Sequence, residues 1–155
     1  MRLSHDYLTE ETAAPVIAVL HQACFDPGWS EADFKSLLSV PGGLIQITSL
    51  DHAPIGFCFY RLVADEAEII TIGVLPEYRN RTVGARLLEK GQEKLAGLNI
   101  KTLFLEVSET NLSAQKLYEN MGFSVTGRRK NYYTEAAEKV DALIMGKTLN
   151  SNNFH

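Results

Sequence analysis

The sequence predicts an α/β protein of the α+β kind, with a mixed, mostly antiparallel central sheet of about seven strands and about four helices. Three observations lead there. The segments "GLIQITSL", "PIGFCFYRLVA" and "AEIITIGV" follow one another with only tight connections, so they read as an antiparallel meander. A helix-period segment beginning at Val83 separates that meander from the apolar run "KTLFLEV", which makes the two flanking strands parallel with a right-handed crossover. Two more strand segments, "FSVTGRR" and "VDALIMGKTL", close the chain.

Each element has a local cause. A short strand covers roughly Arg2 to Tyr7. Pro15 stands where a first helical turn tolerates it, and Val16, Val19, Leu20 and Ala23 recur at helical spacing, predicting a first amphipathic helix with that face buried. Ser30 and Asp33 form a capping pair for a shorter helix whose apolar face is Phe34, Leu37 and Leu38, and "PGG" stops it. Only "DHA" separates the first two strands of the meander, which makes them a hairpin. The helix after Val83 presents Val83, Leu87, Leu88 and Leu95 on its buried side. Asn111 caps the next helix, where Ala114, Leu117, Tyr118 and Met121 share a face and Gly122 ends it. The last two strands are expected to be joined by the polar, aromatic segment "KNYYTEAAEK".

No repeat, low-complexity tract or linker interrupts this order, so one domain over 1–149 is the simplest division, with "NSNNFH" at 150–155 as a frayed tail. A chain of 155 residues can bury enough surface to stand without disulfides or a structural metal. Cys24 and Cys58 are the only cysteines and lack the spacing of a disulfide framework or zinc site, so reduced thiols, a cytoplasmic location and no metal are expected. No run reaches the roughly 18 apolar residues of a membrane span. The net charge of -4 argues against a general nucleic-acid binder. Any polyanion must therefore be gripped locally.

The segment "TIGVLPEYRNRTVGARLLEK" offers such a grip. A strand runs into a loop with Arg79, Arg81, Gly84 and Arg86 and then into a helix start, whose backbone amides can hold a pyrophosphate. A strand and helix joined by a solvated arginine face is the competing reading. Glu106 lies among Leu103, Phe104, Leu105 and Val107, either as a general base in a cavity or as a solvated residue at a strand end. Tyr118 is either a core tyrosine or a proton donor at the mouth of a site. Asn111 is an N-cap first and a ligand contact second.

Loop, carboxylate and tyrosine together resemble the GNAT superfamily of acetyl-coenzyme A-dependent N-acetyltransferases. The family loop is R/Q-x-x-G-x-G/A, and here it is Arg79-Asn80-Arg81-Thr82-Val83-Gly84, with Thr82 in place of the first glycine. Within the family the sequence is most similar to the RimI type, which acetylates the N-terminal alanine of small-subunit ribosomal protein eighteen. The segments "CFDPGWSEADF", "LEVSETNLSAQKLYENMGF", "GRRKNYY" and "DALIMGKTL" carry that likeness.

The resemblance implies acetyl-coenzyme A as co-substrate, direct transfer in a ternary complex, and a V-shaped splay between the fourth and fifth strands. It assigns Glu106 as base and Tyr118 as acid. It gives cofactor contacts to Ile72, Gly73, Val74, Asn80, Arg81, Thr82, Val83, Gly84, Ala85, Asn111 and Tyr118, with the Val74 N–H facing the thioester oxygen. The partner implied is a protein N-terminal peptide, with no direct nucleic acid and no membrane; the oligomeric state is left open. Trp29, Tyr132 and Tyr133 line the acceptor groove or are ordinary packing.

Reference pKa values of about 7.7 to 8.0 for an α-amine and 10.4 for lysine put the cost of a neutral amine at pH 7 near 1 against 4 to 5 kcal/mol. A modest glutamate base therefore favours an N-terminal amine. A small amine, an antibiotic or a lysine side chain is the alternative acceptor, and a non-catalytic acyl-coenzyme A-binding module is the reading outside enzymes. A nucleotide-binding P-loop is a weak reading, since G-x-x-x-x-G-K-[ST] does not occur.

Overall fold

The meander, the crossover and the closing strand pair are all present in the computed structural model, which describes residues 2–79 and 82–149. The loop positions Asn80 and Arg81 and the tail 150–155 lie outside those residues. The elements are β1 (Leu3–Leu8), α1 (Ala14–Cys24), α2 (Glu31–Ser39), β2 (Gly43–Leu50), β3 (Ala53–Val63), β4 (Glu66–Val74), α3 (Val83–Gly97), β5 (Thr102–Ser108), α4 (Leu112–Asn120), β6 (Ser124–Glu135) and β7 (Glu138–Thr148). They build a seven-stranded sheet in the order β1-β2-β3-β4-β5-β7-β6. β4 and β5 are parallel, and the other neighbouring pairs are antiparallel.

Strand alternation divides the core between the two faces of the sheet. Leu44, Cys58 and Tyr60 join α3 and α4 in one cluster, whereas Ile45, Ile47, Phe57 and Phe59 join α1 and α2 in the other. The helices start as their sequences dictate. Ser30 and Asp33 form a complete capping box, and the Asn111 side chain accepts from the Ala114 amide at 3.2 Å. Asp51 and His52, both at positive φ, turn β2 into β3.

Two expectations are corrected. α1 buries Ala14, Ile17, Ala18, Leu20 and His21, while Val16 is 41 % and Val19 69 % exposed. The helix is apolar on nearly every side, so spacing alone did not select the face, and a histidine occupies the inner position. The segment 130–139 is also not a loop. β6 and β7 extend through it and leave Ala136 and Ala137, both at positive φ, as the turn. β6 is an edge strand exposed along most of its length, so no hydrophobic alternation marks it.

The feature that positions the site is a fork. Parallel pairing of β4 with β5 runs from Glu66 and Thr102 to Ile69 and Leu105 and stops there. On the β3 side, Tyr60 faces Ile69 and Phe59 faces Thr71, leaving Ile70 as an extra residue. Such a bulge bends its strand and sharpens its twist. Beyond it, Thr71 to Val74 stays on β3 and leaves β5, giving the expected splay between the fourth and fifth strands.

Candidate active site

A cleft of about 720 Å³ opens between the upper arm of β4 and the starts of α3 and α4. Ile72, Gly73 and Val74 line one wall, Arg79, Thr82, Gly84 and Ala85 the end, and Asn111, Ser113, Ala114, Leu117 and Tyr118 the other wall. A Cβ on Gly73 would stand 2.7 Å from the Phe57 ring and 3.2 Å from Cys24 Sγ, so glycine lets α1 and β3 close against the arm. Arg79 Nε donates to the Val74 carbonyl at 2.9 Å, which ties the end of the arm to the basic loop.

At the loop end, the first α-helical bond of α3 is donated by Arg86 to Thr82 O, 3.0 Å. The amides of Val83, Gly84 and Ala85 precede it and project from a helix start that carries no acidic side chain in its first turn. Val83 is not among the residues that line the cleft; its side chain is buried in the core, which leaves only its backbone amide to face an anion at the helix start. Thr82 adopts φ 64° and ψ 5°. That left-handed conformation explains why glycine is usual there, and the threonine adopts it against its steric preference. Asn80 and Arg81 are not among the described residues.

Tyr118 packs edge-on against Phe123 at 5.8 Å and is 7 % exposed. Burial, with the nearby Cys58, pushes its hydroxyl pKa up to about 12. The group is therefore protonated at neutral pH, and it borders the cleft. Asn111 borders it too, though its Oδ1 is engaged by the Ala114 amide and the Ser113 hydroxyl.

Glu106 is the first β5 residue beyond the last β4 pair, so it stands at the crotch of the fork. It alternates with Leu105 and Val107 of the α3/α4 cluster, which directs its side chain to the opposite face of the sheet. Glu106 and Tyr118 therefore approach the fork from opposite sides. The Glu106 side chain is 16 % exposed and its Oε1 forms an ion pair with Arg129, 2.9 Å from its Nε. The Arg129 guanidinium also lies 5.1 Å from the Tyr132 ring centroid. Glu68, on β4, has its carboxyl pKa raised by burial and by Glu106, against a lowering by Arg129.

Tyr132 and Tyr133 meet edge-on at 5.0 Å, and the Tyr133 hydroxyl pKa is raised by burial and by Glu106. Tyr133 thus lies near Glu106, and Tyr132 is joined to that site through its ring contacts with Tyr133 and the Arg129 guanidinium. Trp29 instead stacks on His21 at 4.7 Å inside the α1/α2 cluster, in the ordinary packing role. Sequence reasoning gave no role to Arg129 or Glu68. The one available signal for Glu68 was a charge within "AEIITIGV"; Arg129 lies 23 positions from Glu106 and reaches it only through the register of three strands.

Among the described residues no His, Cys, Asp and Glu group of three or more is arranged to hold a metal ion, and no helix is long and apolar enough to cross a membrane. Residues 14–123 match the profile of the acetyltransferase (GNAT) family. The chain is 33 % identical over 136 residues to the [ribosomal protein bS18]-alanine N-acetyltransferase of Escherichia coli K12, covering 88 % of this chain and 91 % of that one. The enzyme of the same name from Salmonella typhimurium is 35 % identical over 117 residues, 76 % of this chain and 78 % of that one. The crystal structure of the ribosomal-protein-S18-alanine N-acetyltransferase from E. coli superposes with a TM-score of 0.86 at 30 % identity, over 96 % of this chain and 95 % of that one.

Proposed function

This chain belongs to the GNAT acetyltransferase family and is an acetyl-coenzyme A-dependent N-acetyltransferase; we propose that its acceptor is a protein N-terminus, the N-terminal alanine of ribosomal protein bS18. The observation that carries the reading is the fork. It lets a donor cleft on the α3/α4 face communicate with a carboxylate on the α1/α2 face, so two substrates can meet from opposite sides of one sheet. Relatives that act on bS18 match over most of both chains, which supports this acceptor.

The described residues fit the co-substrate. The amides of Val83, Gly84 and Ala85 would hold its pyrophosphate, together with the basic loop. Among the described residues a Cβ on Gly84 would meet only Leu117, at 3.7 Å, so they leave this approach open. The β4 arm would line the pantetheine path, and the Val74 N–H would face the carbonyl oxygen as charge grows there. Acetyl-coenzyme A supplies an acetyl group already activated as a thioester.

Glu106 takes the proton that the acceptor nitrogen loses as the N–C bond forms, and Tyr118 returns one to the sulfur as the C–S bond breaks. Neither cysteine is needed. Cys58 is fully buried, and burial raises the pKa of both thiols, which suits direct transfer without an acyl-enzyme. Such an acceptor would be met in the cytoplasm.

The test is to incubate the protein with acetyl-coenzyme A and a peptide bearing the bS18 N-terminus, alongside peptides with internal lysines and a panel of small polyamines. One acetyl on the peptide α-amine, located by mass spectrometry, is expected. Transfer confined to lysine side chains or polyamines would overturn the acceptor, and tight acetyl-coenzyme A binding without any transfer would overturn the catalytic roles.

A further inference from the structure

The arm Thr71–Val74 has a structural problem that the pairing of the sheet does not solve. It is hydrogen-bonded to β3 along one edge and has no β5 partner along the other. Something must fix its course, because a small displacement of catalytic groups costs rate steeply.

His21 stands against the first residue of that arm. It is 3 % exposed, on the inner face of α1, and is surrounded by the rings of Phe25, Trp29, Phe34 and Phe57 at centroid distances of 4.5, 4.7, 5.4 and 5.5 Å. The Trp29 amide donates to His21 Nδ1 at 2.9 Å. A backbone N–H can only donate, so Nδ1 carries the lone pair and the proton of the neutral ring is on Nε2. Nε2 lies 3.1 Å from Thr71 Oγ1 and therefore donates to it. Burial depresses the His21 pKa and keeps the ring in this neutral form.

We propose that His21 is a positioning residue for acetyl transfer: its Nε2–H holds Thr71, and with it the cofactor-lining arm, in the splayed course, while its Nδ1 ties that arm to the 25–30 segment at Trp29. Thr71 directly follows the bulged Ile70, so the bond acts where β4 turns away from β5. The Cys24 and Phe57 contacts with Gly73 support the same arm two residues further on. One imidazole thus joins the donor wall of the cleft to the α1/α2 face, where the acceptor arrives.

The proposal rests on the reading that the arm lines the acetyl-coenzyme A cleft. Its test compares Thr71→Val, Thr71→Ser, His21→Phe and the His21→Phe/Thr71→Val double variant by calorimetric acetyl-coenzyme A affinity, kcat and Tm. Thr71→Val keeps the shape of the side chain and removes the acceptor, so it remains informative where His21→Phe does not fold. Losing one buried hydrogen bond should weaken affinity and lower kcat by about fivefold in each single variant. The double variant should be no worse than the poorer single, because both remove the same bond. Thr71→Ser keeps the hydroxyl and should behave as wild type.

A lowered Tm with unchanged affinity and kcat would reduce His21 to a packing residue and overturn the proposal, as would losses that multiply to about 25-fold in the double variant. A wild-type protein that binds no acetyl-coenzyme A would sink the cleft assignment itself, whereas normal wild-type binding with an indifferent Thr71→Val would sink only the role of His21.

Discussion

Substituting Gly91 by alanine places a methyl group where a buried hydroxyl already stands. The added Cβ would lie 2.0 Å from Tyr60 Oη and 2.7 Å from Gln46 Oε1. Neither group can step into water, since Tyr60 is 1 % and Gln46 0 % exposed. They are also bonded to each other, Tyr60 donating to Gln46 Oε1 at 2.7 Å, while Gln46 Nε2 donates to the Leu87 carbonyl of α3 at 2.9 Å. Relieving the overlap means moving α3 off the sheet or breaking that chain of bonds. Overpacking of a tight core costs about 1–3 kcal/mol and a buried unsatisfied polar group about as much again, against roughly 1 kcal/mol gained from alanine's helix propensity. The expected net loss is about 1–5 kcal/mol, and for a chain of this size a fall in Tm of about 2–20 °C by calorimetry. Gly97→Ala is the control, because among the described residues nothing lies within 4 Å of its Cβ and a propensity gain should appear there unopposed. A Gly91→Ala protein melting within 1 °C of wild type would refute the claim that close approach at Gly91 seats α3, and with it the amides at the helix start.

Thr82→Gly should raise stability by about 1 kcal/mol in denaturant unfolding, since a left-handed β-branched residue costs about 1–2 kcal/mol and glycine returns part of that as unfolded-state entropy. The same variant should bind acetyl-coenzyme A at least as tightly by calorimetry. Glu106→Gln and Tyr118→Phe should each lower kcat by about 10²-fold or more, the usual share of a general base or acid, with little change in acetyl-coenzyme A affinity; wild-type kcat/KM in both across the pH range would remove their assigned roles. His5 and His21 both have pKa values below the unfolded value, His5 through burial and the positive charges of Lys90 and Arg86, His21 through burial. The unfolded chain therefore binds more protons than the folded one below about pH 6.5. Their contribution to stability should be complete above that pH and be lost as pH falls from it through the lower folded-state values, and the slope of unfolding free energy against pH in that window should flatten in His21→Phe.

What the sequence made legible was whatever a local pattern decides. The meander strands alternate or run apolar, Ser30 and Asn111 carry the side chains that satisfy free helix amides, and Leu87, Leu88 and Leu95 repeat at helical spacing, so each is settled by its own neighbours. The face of α1 was not legible, because valines outside and isoleucine inside are equivalent to any periodicity count, and the decision lay with His21, whose polar ring is accepted in the core only through bonds to Thr71 and Trp29. The fork was legible only through family likeness. "EIITIG" contains no residue that demands a bulge; Ile70 becomes one only in the register of β4 against β3, at the point where the pairing with β5 ends. The same distinction separates the site residues. Glu106 stood out as a charge in an apolar run, whereas Arg129 becomes its partner only after β6 has been laid beside β7 and β7 beside β5. The chemistry proposed here therefore depends on nonlocal register more than on the motif residues. A substitution that shifts the β4 bulge should impair transfer even with Glu106, Tyr118 and the basic loop untouched.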